Sequence, residues 1–119
     1  MSSFDPALAE EAFEDDVEGL AAFLRSVLVR LVENCERVQS LATSGDTDGV
    51  RAAAHAAKGS AGHLGGKEVE EIASRIELAA RDGTIEDATV IADFPRRVSA
   101  LQETVERYIR EREAQRGSS

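Results

Sequence analysis

A chain of 119 residues, 42% hydrophobic and 31% charged, holds material for one modest core and not for two. Its net charge of −9 sets it against nucleic-acid phosphates, which argues against DNA or RNA as a partner. No apolar run approaches the roughly 18 residues that a membrane helix needs, so no membrane association is expected.

The start of the chain has no basic, apolar signal-peptide plan, and the single cysteine, Cys35, cannot form an internal disulfide. A cytoplasmic setting follows as the expectation. Asp5, Glu10, Glu11, Glu14, Asp15, Asp16 and Glu18 crowd the first 18 residues with no base among them. Asp5-Pro6 reads as a helix start, aspartate at the cap and proline in the first turn, opening a short acidic helix to about residue 13.

Over 16–43 the apolar residues Leu20, Phe23, Leu24, Val27, Leu28, Leu31, Val32, Cys35, Val38 and Leu41 recur at three and four. That stripe predicts a long amphipathic helix, stopped by Ser44-Gly45, with Cys35 an inert core thiol. Asp46 or Thr47 caps the next helix, which Leu64-Gly65-Gly66 breaks. A fourth helix over 67–82 turns Val69, Ile72, Ala73, Ile76 and Ala80 inward and ends at Gly83.

Thr84-Ile85-Glu86-Asp87 has the form of a capping box for a last helix, with Val90, Phe94, Val98, Leu101, Val105, Tyr108 and Ile109 as its stripe. Pro95 is expected to kink or briefly break it. Arginines and glutamates alternate along its end, the ordinary pattern of a solvated helix face. Nothing reads as a strand. Short loops between long amphipathic segments predict an all-α, antiparallel up-down four-helix bundle with a short extra N-terminal helix. The single domain spans 1–119, the bundle about 13–112, with the tail 113–119 frayed.

The third helix carries the chemistry. Val50, Ala53, Ala54, Ala57, Ala61 and Leu64 form its apolar sector, and His55 lies about 140° from the centre of that sector at 100° per residue. Lys58, Gly59 and Gly62 fall within about 60° of His55 by the same count. An outward imidazole therefore shares a face with a cation and with two residues that have no side chain. Glycine costs a helix interior about 1 kcal/mol relative to alanine, so two on a face without packing duty suggest close approach by another protein.

His55, Lys58, Gly59, Ser60, Gly62 and the Leu64-Gly65 turn together resemble the signature of histidine-containing phosphotransfer (HPt) domains. The likeness continues through Ile76-Glu77, Ala79, Ala80 and Gly83 and covers nearly the whole chain. Ala57 stands where that family usually has leucine, and His63 where it often has a small polar residue. The resemblance implies a shuttle without ATP chemistry of its own. His55 would take a phosphoryl group from a receiver-domain aspartate and pass it to another. Partners would be receiver domains of response regulators or of a hybrid histidine kinase. Magnesium would belong to the partner receiver and no cofactor to this domain. Family bundles of this size imply a monomer.

The residue chemistry fits that role. An exposed imidazole titrates near about 6.5 and is a competent neutral nucleophile above it. Phosphoryl transfer asks the protein mainly for positioning and charge, which Lys58 supplies one turn away and Arg51, one turn the other way, can assist. Glu77 is the candidate for orienting the imidazole, since its place matches the family's glutamate or glutamine near the ring. Its ordinary alternative is a surface glutamate paired with Arg81. His63 reads as a turn residue or a helix-end cation, or as a charge that tunes the phosphoryl site. A metal site from His55 and His63 with Glu77 or Glu70 fits poorly, because the two histidines diverge by about 80°. The remaining alternative is a helical module that docks on receivers or kinases without being phosphorylated.

Overall fold

Four aspartates set the starts of helices. The carboxylates of Asp5, Asp16, Asp46 and Asp87 accept hydrogen bonds from the amides of Ala7, Gly19, Gly49 and Val90 at 3.0, 3.0, 2.9 and 3.1 Å. Each satisfies a donor that the first turn leaves without an intrahelical partner. The computed structural model describes residues 2–118, and its regular elements are five α-helices. They are α1 (Ala7–Phe13), α2 (Val17–Ser44), α3 (Thr47–His63), α4 (Lys67–Arg81) and α5 (Ala88–Ser118).

Three local expectations need correction. Thr84 does not open the last helix; Gly83, at φ 84°, turns the chain so that the Thr84 amide bonds back to Ala79 O at 2.9 Å. Thr84 thus closes α4, and Asp87 caps α5 alone.

Pro95 does not break α5, which runs through it. A proline there removes the bond to the carbonyl four residues earlier, that of Ile91. The Gln39 amide donates to that same oxygen at 2.9 Å, so the freed acceptor is satisfied from α2.

The tail is helical through Ser118 rather than frayed from 113. Ion pairs tie it down: Arg112 to Glu10 at 3.8 Å, Glu113 to Arg25 at 3.5 Å and Arg116 to Glu18 at 2.7 Å. Positions 1 and 119 of the expected domain lie outside the described residues.

Helix α2 packs on α3 and α5, and α4 packs on the same two, so α2, α3, α4 and α5 form a closed ring. Gln39 meeting Ile91 and Arg116 meeting Glu18 show that α2 and α5 run antiparallel. The molecule measures 54 × 22 × 19 Å. At 1.5 Å per residue, the α3–α4 hairpin covers only about 25 Å of that length.

The remainder is closed by the N-terminal segment and by α1, which packs on α2. Asp5 N donates to Leu64 O at 2.9 Å, Ser3 bonds the Glu68 carboxylate, and Phe4 meets Tyr108 edge-on at 5.2 Å. The α3–α4 turn needs glycine at position 65 and is tight at position 66. Gly65 sits at φ 61° against Asp5, and a Cβ on Gly66 would lie 2.6 Å from Leu101.

The core lies along the ring's axis. On α3 the sector Val50, Ala53, Ala54, Ala57, Ala61 and Leu64 is buried throughout, against large side chains such as Leu24, Leu31, Ile76, Phe94 and Leu101. Cys35 is buried as expected, and desolvation, with Glu36 nearby, pushes its thiol up to about 11. Among the described residues, no helix is long and apolar enough to cross a membrane.

Candidate functional site

Burying one face of α3 leaves its other face to solvent. The His55 side chain, opposite the alanine sector, is 69% exposed, and Gly59 and Gly62 are exposed beside it. A Cβ built on Gly59 would meet nothing within 4 Å, and one on Gly62 would meet only the flexible Glu70 carboxylate at 3.0 Å. Neither glycine is there for the protein's own packing.

Glu77 reaches this face from below. It follows Ala73 by four residues and precedes Ala80 by three, so it stands at the edge of the buried stripe of α4. The residue is 2% exposed, the one charged side chain buried among the described residues. Its Oε2 lies 2.7 Å from His55 Nδ1 and 3.5 Å from Arg81 Nη2, while Oε1 lies 3.3 Å from Lys58 Nζ.

Burial alone would raise the Glu77 carboxyl. Hydrogen bonds from His55 and Lys58, and the charges of both, outweigh burial and hold it below the ordinary carboxylate range. Glu77 is therefore ionised at neutral pH. A carboxylate only accepts, so Nδ1 donates the proton between them. The lone pair of a neutral ring is then on Nε2, at the solvent side of an exposed side chain. The arrangement presents a nucleophilic nitrogen outward, with its partner nitrogen fixed from within.

The structure gathers His55, Lys58 and Glu77 into one hydrogen-bonded group with two glycines beside it. Arg81, met in the sequence only as a surface partner of Glu77, joins the same carboxylate. Its spacing of four residues from Glu77 on one helix face was the available signal.

Arg51 is exposed one turn before His55, and among the described residues it forms no hydrogen bond or ion pair. His63 is exposed in the last turn of α3, apart from the cluster. Among the described residues no three His, Cys, Asp or Glu side chains stand where they could share a metal ion.

Comparison with known proteins adds three findings. The family model of the Hpt domain matches residues 10–111. Curated proteins returned no significant match. Among solved structures, histidine-containing phosphotransfer protein B (HptB) from Pseudomonas aeruginosa PAO1 is similar, with a TM-score of 0.79 and 17% identity. That match covers 91% of this chain and 95% of the other, a likeness of fold.

Proposed function

The chain belongs to the Hpt domain family, a family of phosphocarriers, and from that membership we propose that His55 is its phosphoacceptor. The protein is a histidine phosphotransfer protein of phosphorelay signalling. Such domains work with receiver domains and kinases. In our reading a receiver's phosphoaspartate donates the group to His55 Nε2, and a second receiver's aspartate removes it. The chain acts as a cytoplasmic carrier that binds no ATP, and magnesium is supplied in the receiver's own site.

The observation that carries this reading is the 2.7 Å contact between His55 Nδ1 and the buried Glu77 carboxylate. It turns the lone pair of the opposite nitrogen to solvent, on a face where Gly59 leaves open space. Lys58, 38% exposed and one turn from His55, can leave Glu77 to meet the oxygens of the transferring group. Positioning and charge are what this reaction requires of a protein. Arg51 adds an exposed cation one turn away, and Arg81 pairs with the Glu77 carboxylate at 3.5 Å. His63, exposed in the last turn of α3, is an auxiliary whose charge can tune the field at the site.

The test is transfer from a receiver domain pre-phosphorylated on aspartate, in magnesium buffer, to wild type and to His55→Gln. Acid-labile, base-stable phosphate on wild type and none on the variant is the expected result. Label on both proteins would move the site to His63. No label on wild type from any receiver of the same organism would leave a docking module.

A further inference from the structure

We propose that Glu77 does more than orient His55: it holds the Nδ1 proton on the ring after phosphorylation, which keeps the phosphoryl group ready to leave. The inference rests on the reading of His55 as acceptor. Its chemical basis is the fate of one proton.

When Nε2 attacks phosphorus, the Nε2–P bond forms and the bond to the donor oxygen breaks, leaving the donor carboxylate. The ring now carries phosphorus on Nε2 and hydrogen on Nδ1, and is a cation. If it loses the Nδ1 proton to water, the later departure of phosphorus expels an imidazolate anion, a poor leaving group. If it keeps the proton, the Nε2–P bond breaks with its electron pair returning to Nε2. Neutral imidazole is released, and the incoming aspartate oxygen takes the phosphorus. Retaining the proton therefore decides how readily the carrier gives up its cargo.

The surroundings of Nδ1 are built for retention. Its proton points at Glu77 Oε2 at 2.7 Å, a charge-assisted hydrogen bond to a carboxylate that is 2% exposed. A buried anion favours the cationic ring, and more strongly than an exposed one would. Hydrogen bonds from His55 and Lys58 keep that anion ionised, and Arg81 from α4 stands 3.5 Å from it. Arg51 on α3 is the further cation on this face, exposed and screened by solvent. From α2, the other helix packed on α3, no charged group among the described residues makes a hydrogen bond or ion pair with the ring. Among the described residues Glu77 is the sole anion in contact with Nδ1.

An amide at position 77 would orient the ring as well as the carboxylate does but would not hold the proton. This separates the proposal from a merely structural role. The experiment loads wild type and Glu77→Gln with phosphate from phosphoramidate, removes the donor, and follows release to an unphosphorylated receiver between about pH 6 and pH 9. Without the carboxylate the ring proton is lost near the ordinary imidazole value of about 6.5, so each further pH unit costs about tenfold in the rate of release. Wild type should stay within about threefold across the same range after correction for the receiver's own profile with a free phosphoimidazole donor.

A second readout is the 15N shift of Nδ1 in the phosphorylated proteins. It should report a protonated ring at pH 8 in wild type and an unprotonated one in the variant. Parallel pH profiles with identical Nδ1 shifts would overturn the proposal while leaving His55 as acceptor. Absence of phosphohistidine in wild type would instead overturn the acceptor assignment beneath it.

Discussion

The two faces of α3 are both made of small residues, for opposite physical reasons. Toward the core, Ala53, Ala54, Ala57 and Ala61 are buried, and their size lets α2 and α4 approach closely around larger neighbours. Toward solvent, a Cβ added to Gly59 or Gly62 would meet nothing close beyond one carboxylate, and the two glycines weaken the helix that contains them. Smallness on the first face serves this chain's own packing. On the second, in the proposed function, it leaves room for a partner to approach.

Adding carbon to each face should break the symmetry. Ala57→Leu inserts volume where the residue is fully buried, at the position where the family it belongs to usually carries leucine. Overpacking of this kind costs about 1–3 kcal/mol, to be read from the urea midpoint. Transfer per folded molecule should be unchanged, because His55 faces away from the site of insertion.

Gly59→Ala should move stability the other way, by about 1 kcal/mol, since the added methyl meets open space in a helix that gains an alanine. Its phosphotransfer should nevertheless slow, on the order of tenfold, because a partner held even slightly off line loses in-line geometry. A gain in stability with a loss of rate is the sign that distinguishes a docking glycine from a structural one. Equal rates for Gly59→Ala and wild type would remove the argument that this face exists for a partner.

Much of this was legible in the chain itself because it is local. Helix periodicity placed five elements, and Asp16, Gly45 and Asp46 marked ends that the structure keeps. The His55 face followed from angular counting alone. What stayed hidden depends on contacts far apart in sequence. Pro95 was expected to interrupt α5, and nothing near it reveals that Gln39, 52 residues away along the chain relative to Ile91, takes the orphaned carbonyl. The tail looked frayed because its anchors Glu10, Glu18 and Arg25 lie at the other end of the sequence.

Glu77 falls between these cases. Its edge position beside Ala73 and Ala80 hinted at burial, but a glutamate four residues before an arginine also fits an ordinary surface pair. The structure combines the two readings: Glu77 is buried, and it bonds Arg81, Lys58 and His55 at once.

The central claim is that α3 presents Nε2 of His55 to the partner because Glu77 holds Nδ1. The most direct measurement is the 31P–15N coupling in protein labelled at its histidine nitrogens and phosphorylated by a receiver. The account predicts phosphorus bonded to Nε2 of His55. Phosphorus on Nδ1 of His55, or on His63, would contradict it.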